Sequence, residues 1–129
     1  MFAFITLGTN NLTKSSKFYD SILKPFGIIK SLTTKRYIGY SKKNNLNKIN
    51  FYLMIPFNEE EATNGNGVMI SFDAKTINNV NEFHQIGITN GGTNEGFPGP
   101  RHGEDYYAYI RDIDGNKICA YSKVSQNKI

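Results

Sequence analysis

The sequence spells one strand-like run twice. NKINFY occupies residues 47–52, and NKICAY occupies residues 116–121. Two further pairs repeat in the same order: KFYDSIL (17–23) matches EFHQIGI (82–88), and FITL (4–7) matches MISF (69–72). Internal repeats constrain a fold strongly, because each copy has to form the same structural unit. The 129 residues therefore predict one domain built from two copies of a single unit.

The first copy contains one helix among short strands. FAFITLG is typical of a strand, and Asn10 or Asn11 can cap the helix that follows. Pro25 and Gly27 are expected to end that helix, and IIKSLTT, RYIGYSK and KINFYLMIP then indicate three strands. The apolar positions at helical spacing predict a buried helix face formed by Leu12, Tyr19, Ile22 and Leu23.

The second copy repeats this order. GVMISFDA predicts a strand, and Ile77, Val80, Phe83 and His84 lie at helical spacing. A Gly-rich connection follows, after which YYAYIRD and NKICAYSKV are expected to pair across the Asp-Gly turn at 112–115. The polar segment NEEEATNGNG (58–67) separates the copies. We expect module one at about 1–57, a solvated linker at about 58–66 and module two at about 67–124.

This arrangement, with the segment DIDGNKI (112–118) and the FY and FH pairs on the two helices, resembles the vicinal oxygen chelate superfamily. That superfamily includes glyoxalase I, extradiol dioxygenases, fosfomycin-resistance enzymes and bleomycin-resistance proteins. The resemblance covers essentially the whole chain. It implies an α+β fold in which two tandem βαβββ modules form a curled, cup-like mixed sheet, with the helices outside and the binding cleft inside.

The resemblance also implies four positions for metal ligands, usually His or Glu, on the first and last strands of each module. Here those positions hold Phe4, Asn50, Met69 and Cys119. A phenyl ring cannot ligate, a thioether is a soft and weak ligand, and divalent cations prefer carboxylate, imidazole or thiolate groups. We therefore predict neither a metal site nor a cofactor.

Strand alternation separates the residues that would line the cup from those that would face the helices. The predicted lining combines aromatic and weakly polar side chains: Phe4, Thr6, Asn50, Tyr52, Met69, Ser71, Cys119 and Tyr121. The opposite faces, predicted to pack under the helices, carry Ile5, Leu7, Ile49, Phe51, Leu53, Val68, Ile70 and Phe72.

The stretch RHGED (101–105) is the most chemically reactive in composition. Arg101 and His102, with Tyr107, are placed by the resemblance at the cleft rim, where they could contact a ligand; a solvated polar loop is the competing interpretation. Cys119 could serve as a nucleophile, but a small buried residue explains it more simply. His84 could be a ligand, but its helical position favours a packed, hydrogen-bonded histidine.

Composition excludes several classes. The net charge is +4, but the lysines are spread along the chain, so a nucleic-acid partner is not expected. No apolar stretch approaches the length of a membrane span, the start does not read as a signal peptide, and one cysteine cannot form an intrachain disulfide. We expect a cytoplasmic protein.

Together these features predict a metal-free protein that binds a small organic molecule and forms a homodimer. The alternative is an enzyme of the same superfamily, a lyase, isomerase, dioxygenase or thiol transferase. Such an enzyme would use displaced metal ligands or Cys119.

Overall fold

The computed structural model describes residues 1–124, which form eight strands, two α-helices and a short 3-10 helix, Lys24–Phe26. The helices are α1 (Leu12–Leu23) and α2 (Ile77–Thr89). The strands are β1 (Ile5–Gly8), β2 (Ile28–Thr33), β3 (Tyr37–Lys42), β4 (Phe51–Met54), β5 (Ile70–Asp73), β6 (Thr93–Pro100), β7 (Tyr106–Arg111) and β8 (Lys117–Ser122).

The strands form two sheets of four, with the orders β1-β4-β3-β2 and β5-β8-β7-β6. In each sheet the first strand runs parallel to the last strand of the same unit, and the remaining pairs are antiparallel. Each half of the chain is thus a βαβββ unit, and the predicted α+β fold class is confirmed.

Helix α1 begins and ends for local reasons. The Asn11 side chain accepts a hydrogen bond from the Lys14 N–H (3.0 Å), so Asn11 is the cap among the two predicted candidates. Asn10 instead accepts a bond from the Ala62 N–H at 2.7 Å, which ties the linker to the start of the helix. After Leu23 the chain tightens into the 3-10 helix, and Gly27 stops it at φ 71°, in the left-handed region.

One hydrophobic core serves both units. Helix α1 packs on the first sheet, α2 packs on the second, and the two helices pack against each other. The predicted face of α1 lies in or against this core, together with Phe18, which was absent from the prediction. Of the predicted α2 face, Val80 and Phe83 belong to the core, whereas Ile77 is only half-buried and does not. The Tyr19 hydroxyl donates a 2.6 Å hydrogen bond to the Asp112 carboxylate, so the core also holds a polar link between the units.

Three predictions about individual segments are wrong in detail. The Gly-rich connection contains β6, whose register against β7 shifts twice, so its strand pattern is irregular. Val68 does not pack under the helix, because β5 begins only at Ile70 and Val68 is exposed. Ile49 precedes β4 and lies against Gly39, on the sheet face that turns away from the core.

No helix in residues 1–124 has the length and apolar character needed to cross a membrane.

Candidate functional site

A cleft of about 540 Å³ opens between the two sheets, and we call it the intersheet cleft. Its first side comes from β1, the Gly27 turn and the adjoining ends of β2, β3 and β4; its second side is β5. A volume of this size is in the usual range of small-molecule sites. Its apolar lining consists of Ile5, Phe26, Ile28, Tyr40, Phe51, Ile70 and Phe72.

Aromatic rings from both units form the walls of the cleft. The rings of Phe51 and Phe72 meet edge to face with centroids 5.5 Å apart, and Phe26 lies 6.3 Å from Phe72. Phe51 and Tyr40 are buried, whereas Phe26 and Phe72 are half-buried at the edge of the core. Partly exposed apolar surface between two walls is what a ligand of similar polarity can cover.

Polar residues stand at the mouth. Lys42 ends β3 and Lys43 follows it, while Lys75 and Asp73 form a 2.8 Å ion pair at the end of β5, on the other side of the cleft. The Asn50 side chain also lines the cleft, where its amide N–H donates to the Ala3 carbonyl at 3.1 Å. The mouth is therefore charged and exposed to solvent, while the walls are apolar.

The first sheet carries a second, smaller depression on the face that turns away from the core. This hollow measures about 200 Å³ and is lined by Phe4, Thr6, Tyr37, Tyr52 and Met54. The ring of Tyr52 makes edge contacts with Phe4 (5.5 Å) and with Tyr37 (5.8 Å). Three of the predicted lining residues thus lie together. Tyr37 was missed, although its alternation with the buried Ile38 placed it on this face.

The corresponding face of the second sheet is an aromatic surface. Tyr107 stacks on Tyr109 with centroids 6.1 Å apart and contacts Tyr121 at 5.2 Å. The Arg101 guanidinium lies 5.2 Å from the centre of the Tyr109 ring and donates to the carbonyls of Phe97 (2.7 Å) and Tyr107 (3.0 Å). Arg101 thus braces β6 against β7.

The loop that carries RHGED borders this surface. His102 is exposed, has φ 53°, and places its ring 5.6 Å from that of Tyr107. The Asp105 carboxylate accepts hydrogen bonds from the Tyr121 hydroxyl and from the Val124 N–H, both at 3.1 Å. The Asp105 carboxylate is therefore engaged in hydrogen bonds within the protein, whereas the side chain of His102 is exposed.

Cys119 and His84 match the simpler of their two interpretations. Cys119 is 0% exposed, and burial raises the pKa of its thiol despite the opposing hydrogen bond from the Ser71 side chain. A buried, protonated thiol is a poor nucleophile. His84 is buried on α2, with Nε2 2.8 Å from the Asn94 side-chain oxygen.

The predicted cup residues fall into separate places. Asn50 and Ser71 line the intersheet cleft, while Phe4, Thr6 and Tyr52 line the hollow. Met69 lies just before β5 and is 42% exposed; Cys119 and Tyr121 lie on β8. The ring contacts of Phe4, Tyr37 and Tyr52 stay within the first unit, and those of Tyr107, Tyr109 and Tyr121 stay within the second.

Of the cleft lining, the prediction included Asn50 and Ser71. Four wall residues belong instead to the faces that were predicted to pack under the helices: Ile5, Phe51, Ile70 and Phe72. Phe26, Lys42 and Lys43 were given no role in a site. Phe26 stands between Pro25 and Gly27 and was interpreted only as part of a helix stop. Lys42 and Lys43 entered the sequence analysis only through the net charge, which does not indicate a nucleic-acid partner. None of these three residues lies in a sequence pattern that predicts a binding site, and only the tertiary structure brings them together at the cleft.

The residues at the four implied metal positions do not suit a metal ion. Phe4 has no ligating atom, Met69 offers only a thioether, Asn50 offers one neutral amide oxygen, and Cys119 is buried. Within residues 1–124 there is also no group of three or more His, Cys, Asp or Glu side chains placed to hold a metal ion.

Comparison with known proteins identifies the family. No family model and no curated protein matches the chain. A glyoxalase/bleomycin resistance protein from Albidiferax ferrireducens T118 is 40% identical, with a TM-score of 0.87 over 95% of this chain and 98% of that one.

More distant structures support the fold alone. A glyoxalase/bleomycin resistance protein/dioxygenase family enzyme from Burkholderia phytofirmans PsJN is 18% identical (TM-score 0.72, covering 93% of this chain and 96% of that one). A lactoylglutathione lyase from Agrobacterium tumefaciens is 17% identical (TM-score 0.65, covering 95% and 92%). Identity and coverage with the first relative show that the chain belongs to the glyoxalase/bleomycin resistance protein family.

Proposed function

We propose that the protein binds a small, partly apolar organic molecule without the help of a metal ion, and that the intersheet cleft is the site. The observation that carries this proposal is the cleft itself: about 540 Å³ between two sheets, with aromatic walls and a polar mouth. Apolar walls with a few polar groups are the usual composition of ligand sites. Asn50 and Ser71, both in the predicted lining, belong to this cleft.

Binding is tested with a neutral aromatic probe, 2-naphthalenemethanol, titrated into ¹⁵N-labelled protein. We expect amide shifts at Ile28, Ile70 and Phe72, which line the cleft, and none at Val80, which is buried under α2. Saturable binding with that pattern supports the proposal. Shifts confined to the hollow around Tyr52, or no saturable shift, would rule out the cleft as the site.

A matched pair of variants on β2 blocks or spares the cleft. Ile28 lines the cleft, whereas Leu32 on the same strand is exposed outside it. Ile28→Trp fills part of the cleft volume and should weaken the probe's affinity by about tenfold, which corresponds to roughly 1.4 kcal/mol of binding free energy. Leu32→Trp should leave the affinity unchanged, and both variants should retain the wild-type circular dichroism spectrum.

The two sheet faces that turn away from the core, which we call the outer faces, support the predicted homodimer. Phe4, Met69 and Phe97 expose 59, 42 and 68% of their surface, and two of them flank the first strands of the two sheets. The hollow, at about 200 Å³, is smaller than most ligand sites and would be deepened by a second copy placed against it. Light scattering coupled to size-exclusion chromatography should give twice the monomer mass for the wild-type protein. The Phe4→Lys variant should give a lower mass.

The alternative enzyme function makes a different prediction about metal. A lyase, isomerase or dioxygenase with displaced ligands requires near-stoichiometric zinc, nickel, iron or manganese in protein purified without chelators. The residues at the four implied positions predict far less than one equivalent by mass spectrometry. Near-stoichiometric metal would overturn the metal-free proposal, and the cleft variants would then be tested for activity.

A further inference from the structure

The mouth of the intersheet cleft has an excess of positive charge. Its lining includes Lys42, Lys43 and Lys75 but a single carboxylate, Asp73. Asp73 is paired with Lys75 at 2.8 Å, so the charge of each is compensated. Within residues 1–124, neither Lys42 nor Lys43 makes an ion pair. Two uncompensated ammonium groups therefore stand at one side of the entrance.

Backbone geometry fixes these lysines beside the apolar wall. On β3, Lys42 shares its face with the buried Tyr40, because side chains two residues apart point the same way. Lys42 is also the cross-strand neighbour of Ile28, which lines the cleft. The Lys43 N–H donates to the Gly27 carbonyl at 2.9 Å, which holds the following turn against the same wall.

The interior offers little to a polar ligand. The Ser41 hydroxyl is engaged with the Ser31 hydroxyl at 2.7 Å, and the Asn50 amide donates to the Ala3 carbonyl. The walls beneath are formed by the rings of Phe26, Phe51 and Phe72. A ligand that placed polar groups against these rings would lose their hydration without regaining hydrogen bonds there, so the walls favour an apolar body.

We propose that the intersheet cleft takes an amphipathic anion, an apolar or aromatic molecule with one carboxylate-type head. The body lies against the contiguous surface formed by Phe26, Phe51 and Phe72, and the head lies at Lys42 and Lys43. This inference rests on the proposed function of the cleft and adds the chemical class of its ligand. The lining contains lysines and no arginine, so the head is held as a point charge rather than by a planar, bidentate pair.

Calorimetry with 2-naphthoate and the neutral 2-naphthalenemethanol separates the head from the body. Wild-type protein should bind 2-naphthoate about tenfold more tightly than the alcohol, in line with two partly exposed ion pairs. Raising the salt concentration should narrow the difference, because salt screens exposed charges.

The variants locate the effect. Lys42→Gln with Lys43→Gln should remove the preference for 2-naphthoate, so that the ratio of the two affinities falls from about ten to about one. The control, Lys14→Gln with Lys17→Gln, removes the same charge from α1, whose two lysines are exposed and outside the cleft, and should change neither affinity. Thermal denaturation confirms that both double variants fold.

The outcomes separate the ligand class from the proposed function. Equal binding of the two probes, or a 2-naphthoate affinity that survives removal of Lys42 and Lys43, overturns the anionic class and leaves small-molecule binding intact. A stronger affinity for the alcohol does the same. Failure of both probes to bind overturns this inference and the proposed function together.

Discussion

Removal of the Tyr19 hydroxyl should destabilise the protein more than its chemistry suggests, because its partner is a buried carboxylate. The hydroxyl donates to Asp112 Oδ2 at 2.6 Å, and both residues are buried. The same carboxylate accepts bonds from the Asn116 side chain (3.0 Å) and from the N–H groups of Asp114 and Asn116 (2.9 Å each). Tyr19 belongs to the first unit and Asp112 to the second, so the bond joins them.

The magnitude follows from the type of bond. A hydrogen bond to a charged group contributes about 1.5–3 kcal/mol, and short charge-assisted bonds are at the strong end. Tyr19→Phe should therefore lower the free energy of unfolding by about 1.5–3 kcal/mol, which corresponds to roughly 5–12 °C in Tm for a domain of this size. Urea denaturation followed by circular dichroism should show a lower midpoint with an unchanged m-value.

Tyr40→Phe is the matched control. The Tyr40 ring is also buried, and its one hydroxyl proton is shared between two acceptors, the Asp20 carboxylate at 2.9 Å and the Ser16 carbonyl at 3.1 Å. The Asp20 side chain is 40% exposed, so water replaces the lost donor and the cost should be about 0.5–1.5 kcal/mol. A loss in Tyr19→Phe no larger than in Tyr40→Phe would refute the argument that burial of the carboxylate sets the cost.

Three further predictions concern titration, packing and thiol access. Burial raises the pKa of Tyr19 and Tyr40, so the stability that their hydroxyl groups contribute is complete below a pH of about 10 and falls as the pH rises above it. In urea denaturation the free energy of unfolding should therefore fall more steeply with rising pH in the wild type than in the double Phe variant, and an equal dependence on pH would contradict this. A Cβ on Gly92 would stand 2.9 Å from two backbone oxygens, whereas a Cβ on Gly99 would have no neighbour nearer than 4.0 Å. Gly92→Ala should therefore lower the free energy of unfolding by about 1–3 kcal/mol, and Gly99→Ala should lower it far less. Cys119 should react with a disulfide reagent orders of magnitude more slowly in native than in urea-unfolded protein, and equal rates would show that the thiol is accessible.

The fold was predictable because its signals are local and occur twice. The strand runs and the helix caps depend on short stretches of sequence, and both units have them in one order, with Asn11 capping α1 and Thr76 capping α2. The errors have local causes as well. Strand β6 has two register shifts and contains Gly and Pro, so its sequence lacks the alternation that identifies a strand.

The site was less predictable because no local signal places one unit against the other. Alternation correctly gathered Phe4, Thr6 and Tyr52 on one face of the first sheet. It could not show that Phe26 and Phe72, from different units, pack together and line one cleft. Nor could it show that the two outer faces keep their ring contacts within their own units.

The most direct test of the account is a crystal structure of the protein soaked with 2-naphthoate. We predict electron density for the naphthalene in the intersheet cleft, against the rings of Phe26, Phe51 and Phe72, with the carboxylate directed towards Lys42 and Lys43. Density in the hollow beside Tyr52, or a cleft closed by its own side chains, would contradict the assignment of the intersheet cleft as the ligand site.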